Sequence, residues 1–174
     1  MQKYKIFPYG IGFCANKINK FAINLFTFVT TMDYEKYMRI ALAEAADAEM
    51  EGEVPIGAVV VCGDKVISRT HNRTEHLHDV TAHAEIMAIT AAEDYLGAKY
   101  LTDCTLFVTV EPCVMCAGAL AWSQISEIVY GAADEKRGFS KYSEKILHPK
   151  TKLLKGVLAE ECEKKMKEFF AKKR

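Results

Sequence analysis

The sequence predicts a layered α/β fold. Three features lead to this prediction: helical spacing from Asp33 to Glu51, a hairpin signal at Gly63-Asp64, and alternating strand-like and helical stretches from there to the end of the chain. Such alternation is typical of folds in which helices cover a sheet. The chain has 174 residues, half of them hydrophobic, which is enough for one buried core, so we expect a single folded domain.

The first half of this domain is predicted to contain two helices and a hairpin. Apolar residues recur at helical spacing after Asp33, which is a suitable N-cap residue. The β-branched runs 57–62 and 65–70 flank a Gly-Asp pair, which predicts a two-residue hairpin turn. A polar loop over 71–80 precedes a second helix over 82–96, which Asp79 or Thr81 could cap and Gly97 would end.

The second half is predicted to alternate strands and helices. Strands are expected at 106–110 and 125–132. Between them, Pro112 should occupy the first position of a helix that contains Cys113 and Cys116, because proline suits that position. A helix over 134–147, a short last strand over 156–158 and an amphipathic helix over 160–173 complete the prediction.

Charge is unevenly distributed in a chain whose formal net charge is zero. Residues 1–31 contain four lysines and no acid, residues 32–134 contain 6 basic and 17 acidic side chains, and residues 135–174 contain 13 basic and 6 acidic ones. A basic C-terminal quarter favours an anionic partner such as nucleic acid, although a solvated Lys/Glu helix would give the same count.

Residues 1–31 differ from the rest of the chain, and Met32 opens the first helical pattern. We therefore predict that residues 1–31 are an N-terminal extension outside a domain of residues 32–174. Mass spectrometry that found residues 1–31 in the native protein would contradict the idea that they lie upstream of its true start.

The cysteines indicate a reducing compartment, and we expect a cytoplasmic protein. Of six cysteines, only Cys113 and Cys116 are closely spaced, and a domain of this length does not need disulfides. No apolar run approaches the length needed to span a bilayer, so no membrane partner is expected.

The Cys113-x-x-Cys116 pair predicts a metal site once a third ligand is found. His83, near the start of the preceding predicted helix, supplies an imidazole. One histidine and two cysteines leave the fourth position of a tetrahedral zinc ion open to water, which is typical of catalytic rather than structural zinc. A redox pair is the alternative for the two cysteines alone, but it gives His83 no role.

Glu85 is the predicted proton carrier. Two residues along a helix correspond to a rotation of about 200°, so Glu85 and His83 can converge only near the first turn. There the carboxylate could take a proton from a zinc-activated water and pass it to a leaving amine. His-x-Glu followed by Pro-Cys-x-x-Cys is the signature of zinc nucleobase deaminases.

At these motifs the chain resembles the cytidine deaminase superfamily and, within it, the bacterial tRNA adenosine deaminases that form inosine at the wobble position. The resemblance covers about residues 33–174. It is carried by the segments 53–59, 71–73, 78–88, 109–119, 131–136, 156–162 and 169–170.

The resemblance implies a three-layer α/β/α fold with a mixed five-stranded sheet, bound Zn²⁺, a homodimer and a pocket for a flipped-out base of the tRNA anticodon loop. It also implies roles for several side chains and backbone groups. Asn72 would bind the base, Val54 and Pro55 would line its pocket, and backbone N–H groups of Ala84 and Cys113 would hold the reacting centre. Contacts to the anticodon loop would come from Asp134, Phe170, Lys173 and Arg174.

Two other functions stay open at this point. A deaminase of a free base or nucleoside, guanine or cytosine, would use the same zinc motif, and the acidic central region suits a small neutral substrate. A zinc-stabilised binding module without catalysis would need a fourth protein ligand, which no cysteine or histidine near the motifs clearly supplies.

Overall fold

The computed structural model describes residues 32–173. The predicted N-terminal extension, residues 1–31, and the predicted tRNA contact Arg174 lie outside the described residues. The helices and strands, in chain order, are α1 (Tyr34–Met50), β1 (Gly57–Cys62), β2 (Lys65–His71), α2 (Ala84–Leu96), β3 (Cys104–Val110), α3 (Val114–Trp122), β4 (Glu127–Ala132), β5 (Lys152–Lys155) and α4 (Ala159–Lys172).

The five strands form one mixed sheet in the order β2-β1-β3-β4-β5. Strand β1 pairs antiparallel with β2 and with β3, whereas β3–β4 and β4–β5 are parallel. The parallel pairs need crossovers, which α3 and the segment after β4 provide. The mixed five-stranded sheet that the resemblance implies is confirmed.

Two hydrophobic clusters lie on opposite faces of the sheet. Val60, Leu106 and Val108 pack on one face against α2 and α3, and Val59, Phe107 and Val129 pack on the other against α1 and α4. Because successive side chains of a strand point to opposite faces, strands that are apolar at every position carry both cores. This arrangement is a three-layer α/β/α fold.

Helix α1 begins and ends as the sequence predicts. The side chain of Asp33 accepts a hydrogen bond from the backbone N–H of Lys36, which caps the helix. Gly52 follows with a φ of 81°, and the N–H of Glu53 donates back to the carbonyl of Ala48. This closure fixes the position of Glu53 at the end of the helix.

The predicted helix over 134–147 is wrong. The chain there forms two short 3-10 turns, Phe139–Lys141 and Glu144–Ile146. The Glu111 carboxylate, just after β3, accepts from the N–H groups of Asp134 and Ser140, so these two donors bond to a side chain rather than to a helical carbonyl. Phe139 is fully buried beneath the loop.

The last strand also lies elsewhere than predicted. It occupies Lys152–Lys155 instead of 156–158. Gly156 and Leu158 have positive φ values of 84° and 53°, and the N–H groups of Gly156 and Val157 both donate to the carbonyl of Tyr130. The segment is therefore a turn that leads into α4. No helix of the described residues is long and apolar enough to cross a membrane.

Candidate active site

The site lies where the starts of α2 and α3 meet. His83 and Cys113 are the N-cap residues of these helices, both in extended conformation. The prediction placed Cys113 inside a helix begun by Pro112 and started α2 at residue 82, and both boundaries were wrong. Neither predicted cap closes α2, because Asp79 instead accepts from the backbone and hydroxyl of Thr81 in the preceding turn.

Strand β2 holds the beginning of α2 against the sheet. The hydroxyl of Thr70 donates to the carbonyl of Ala84 over 2.8 Å, and the hydroxyl of Ser68 donates to the carbonyl of Ala88 over 3.0 Å. The N–H of Arg73 bonds to the carbonyl of Ala82. These bonds fix the segment that ends in His83.

The structure brings together His83, Cys113 and Cys116, as the sequence predicts. The Nδ1 atom of His83 lies 3.7 Å from Sγ of Cys113 and 3.5 Å from Sγ of Cys116, and the two sulfur atoms are 3.7 Å apart. A tetrahedral zinc ion with ordinary Zn–S and Zn–N bonds holds such atoms about 3.5–3.8 Å apart. The donor set therefore fits zinc in both chemistry and spacing.

The two cysteines are electrostatically coupled. The hydrogen bond from Cys116 is the main reason why the pKa of Cys113 falls to about 4, with a further contribution from His83. The pKa of Cys116 is raised, because its thiol proton is held between the two sulfur atoms and the group is buried. One thiolate is thus present at neutral pH before any metal binds, and a thiolate is the form that ligates metal.

Glu85 lies beside these ligands in the first turn of α2, which meets the geometric condition set by its spacing from His83. Its side chain is buried, and burial raises the pKa of Glu85 to about 6. Within the described chain, its Oε2 atom accepts no hydrogen bond although it is shielded from solvent. A buried carboxylate oxygen without a partner indicates a place for a donor that the protein itself does not supply.

Asn72 is buried near this site, at the end of β2. Its side-chain NH₂ donates to Oε2 of Glu53 over 2.8 Å and to the hydroxyl of Thr74 over 3.1 Å. Sequence reasoning missed Glu53, which is fully buried. The sequence shows Glu53 only as a carboxylate next to an apolar run. Its hydrogen-bond donors lie about twenty positions further along the chain, so residue spacing does not reveal them.

The other predicted pocket residues surround this network. Val54 is half-buried and Pro55 is buried, in a tight turn closed by a bond from the N–H of Ile56 to the carbonyl of Val54. Ala84 is buried at the first position of α2. The N–H of such a residue has no partner within its own helix, so it is available for a ligand, as proposed from the resemblance.

Asp134 is half-buried in the loop held by Glu111. Its carboxylate accepts from the N–H groups of Lys136 and Arg137, which orders the loop. Gly138 of the same loop forms a β-bridge with Cys113. The loop therefore borders the predicted metal site, and Glu111 is a second organising residue that sequence reasoning missed.

The two neighbouring aromatic rings near the C-terminus, Phe169 and Phe170, differ in exposure. Phe169 is buried, whereas Phe170 is 45% exposed. The ammonium of Lys173 lies over the ring of Phe169, 4.4 Å from its centroid. Phe170 and Lys173 are both exposed, so a ligand could reach this ring and this cation.

Comparison with known proteins decides the family. The family model described as MafB19-like deaminase matches residues 32–174. A tRNA-specific adenosine deaminase from Aquifex aeolicus is 42% identical over 148 residues, which are 82% of this chain and 97% of that protein. The chain belongs to the tRNA-specific adenosine deaminase family.

Solved structures agree with this assignment. A structure from studies of A-to-I editing by tRNA deaminases at the wobble position of transfer RNA has a TM-score of 0.70 and 40% identity, covering 75% of this chain and 98% of that chain. A guanine deaminase from Bacillus subtilis has a TM-score of 0.56 and 36% identity, covering 59% of this chain and 66% of that one. This member of the tRNA-specific adenosine deaminase family thus shares its fold with deaminases of both substrate classes.

Proposed function

We propose that the protein catalyses the hydrolytic deamination of adenosine to inosine at the wobble position of a tRNA anticodon. The observation that carries this proposal is the buried Oε2 atom of Glu85, which accepts no hydrogen bond within the described chain and lies beside a His/Cys/Cys group. The substrate is inferred from the names of its relatives.

Zn²⁺ is the proposed cofactor, held by His83, Cys113 and Cys116. Bound there, it would act as a Lewis acid that lowers the pKa of a water molecule toward neutrality. Glu85 takes a proton from the attacking water and delivers a proton to the departing amine, so the C–N bond breaks and ammonia leaves. Its raised pKa, about 6, suits a group that must both accept and release a proton near neutral pH.

The remaining groups hold the base and the nucleotides beside it. Asn72 binds the base, Val54 and Pro55 shape the pocket, and the N–H groups of Ala84 and Cys113 face the reacting centre. Asp134, Phe170, Lys173 and Arg174 contact the anticodon loop, where an exposed aromatic ring stacks on a base and cations pair with phosphates.

A guanine deaminase is the second candidate, since a guanine deaminase with this fold is 36% identical to the chain. Ammonia release distinguishes the two. The purified, zinc-loaded protein is incubated with an anticodon stem-loop that carries a wobble adenosine, and separately with guanine, cytosine and cytidine. We expect release from the stem-loop alone; release from a free base alone would replace our proposal with the second one.

A zinc-binding module without catalysis is not favoured. Among the described residues, the group that could hold a metal comprises His83, Cys113 and Cys116, which leaves one position of a tetrahedral ion open. Metal analysis combined with the ammonia assay tests this point: bound zinc without turnover on any of the four substrates would favour the module.

A homodimer is proposed from the resemblance and supported by one exposed face of α3. Val114, Met115 and Trp122 are 41%, 38% and 84% exposed, although large apolar side chains are usually covered. We expect sedimentation to show a dimer and Trp122→Glu to convert it to a monomer. A wild-type monomer would contradict this proposal.

A cytoplasmic location is likewise proposed. The five cysteines in the described part of the chain are all free, which is typical of a reducing compartment. The proposed tRNA substrate would also be met in the cytoplasm. Fractionation that recovered the protein outside the cytoplasm would contradict it.

A further inference from the structure

Glu53 is a fully buried carboxylate whose three hydrogen-bond donors are all uncharged. Its Oε2 accepts from Nδ2 of Asn72 over 2.8 Å and from the hydroxyl of Thr74 over 3.3 Å, and its Oε1 accepts from the N–H of His76 over 2.8 Å. Burying a carboxylate without a cation is costly even when it is hydrogen-bonded. An apolar residue at position 53 would give the fold at least the same stability, so a carboxylate at this position requires another explanation.

The hydrogen bonds determine whether the NH₂ group or the carbonyl oxygen of the Asn72 side chain faces Glu53. An ionised carboxylate only accepts hydrogen bonds, so the atom that faces Glu53 must be the NH₂ group. The second amide hydrogen is directed to the hydroxyl of Thr74, 3.1 Å away. With both hydrogens donated inward, the carbonyl oxygen of Asn72 is the atom left for a ligand.

The backbone around this network is fixed from both sides. Glu53 is held by the closure of α1, through the bond from its N–H to Ala48. The N–H of Asn72 donates to the carbonyl of Ile56, and the next residue, Arg73, bonds to Ala82 just before His83. The carboxylate thus joins the end of α1 to the segment that carries the predicted metal ligand.

We propose that Glu53 is a positioning residue for substrate recognition: it holds the amide of Asn72 with its carbonyl oxygen toward the base, as a hydrogen-bond acceptor. This inference rests on the proposed function, in which Asn72 binds the base. It assigns Glu53 no contact with the substrate. The effect of Glu53 should therefore be exerted entirely through Asn72.

The variant Glu53→Gln tests this role, because a glutamine cannot accept from all three donors at once and no longer enforces the orientation of the amide. We expect the KM for the anticodon stem-loop to rise by about three- to tenfold, the effect of losing one hydrogen bond between uncharged groups, here the bond between Asn72 and the base. The zinc content should remain at the wild-type level, and kcat should change less than KM.

Glu44→Gln is the matched control. Glu44 is also a buried carboxylate, but it pairs with Arg69 and His71 and lies on α1. We expect it to lower the melting temperature without raising KM. An equal KM increase in both variants would show a general structural effect and overturn the proposal.

A double variant gives the sharpest test. If Glu53 acts through Asn72, then Asn72→Ala and Glu53→Gln/Asn72→Ala should have the same KM, because the second change removes nothing further. Additive effects would overturn the proposal. If Glu53→Gln does not fold, Thr74→Ala is measured instead. Thr74 is half-buried in a loop, and its hydroxyl accepts a hydrogen bond from the Asn72 amide, so its loss should raise KM by a smaller factor. An unchanged KM in Thr74→Ala would contradict the proposal.

Failure of this inference is distinguishable from failure of the proposed function. If the wild-type protein deaminates guanine instead of the stem-loop, the same variants are measured with guanine, and the non-additivity with Asn72 still decides the role of Glu53. If the wild-type protein acts on the stem-loop and the KM of Glu53→Gln is unchanged, only the positioning role is wrong.

Discussion

Glu85 is the side chain on which the proposed chemistry depends most, because it is buried, its Oε2 accepts no hydrogen bond from the described residues, and it interacts with the predicted metal ligands. Glu85→Gln keeps its size but cannot carry a proton. We expect deamination to fall by about 10²–10⁴-fold, the usual contribution of a general acid–base. Metal analysis should find the same zinc content as in the wild-type protein, since the three ligands are untouched. Turnover near the wild-type rate would remove the proton-carrier role from Glu85.

Single residues also show where sequence reasoning succeeds and where it stops. His83, Cys113 and Cys116 were identified from their chemistry and spacing, and the structure places their ligand atoms within 4.8 Å of one another. Glu53 and Glu111 were missed. Both are buried acids whose partners come from distant segments, and hydrogen bonds between distant segments leave no periodic pattern in a sequence.

At the scale of elements, the loop after β4 depends on close packing at Gly138. A Cβ atom added there would lie 2.5 Å from Cδ of Glu111 and 2.6 Å from the carbonyl oxygen of Asp134. We expect Gly138→Ala to destabilise the fold by about 1–3 kcal/mol, as overpacking does, and to lower activity because the loop borders Cys113. Denaturant unfolding together with the ammonia assay measures both effects.

Ser140→Ala is the control for this prediction. Ser140 is exposed, and its backbone N–H rather than its hydroxyl donates to Glu111. The change should leave stability within about 0.5 kcal/mol, as is usual for surface substitutions. If Gly138→Ala is as mild as this control, the loop is not held as tightly as described.

The elements also explain which boundaries were predictable. Helix α1 and the β1–β2 hairpin follow local signals, namely the Asp33 cap and the Gly-Asp turn, and both were predicted correctly. The helix expected over 134–147 failed because two of its backbone donors, the N–H groups of Asp134 and Ser140, bond to the Glu111 carboxylate. The starts of α2 and α3 were displaced because His83 and Cys113 stand in extended conformation at the N-caps, where their side chains reach one another.

For the molecule as a whole, the predicted metal joins the starts of two helices from separate parts of the chain. A ligand that binds the folded but not the unfolded state raises stability. We therefore expect removal of zinc by a chelator to lower the melting temperature and added zinc to restore it. Calorimetry of the zinc-loaded and zinc-free protein is the measurement, with His83→Ala as the control that should no longer respond. A melting temperature that is unaffected by zinc would contradict the proposed site.

The domain boundary is a second prediction at this scale. The family model matches residues 32–174, and we propose that residues 1–31 lie outside the deaminase domain. A chain of residues 32–174 should melt at the same temperature as the full chain and deaminate at the same rate. A substantial loss of either property on truncation would show that residues 1–31 belong to the working domain.

The central claim is hydrolytic deamination of a wobble adenosine, and isotope labelling tests it most directly. The zinc-loaded protein is incubated in heavy-oxygen water with an anticodon stem-loop that carries one adenosine, at the wobble position, and the nucleosides are analysed by mass spectrometry. We expect inosine that carries the heavy oxygen at C6, and no such product with Glu85→Gln. Adenosine that remains unchanged, or inosine without the heavy oxygen, would contradict the claim.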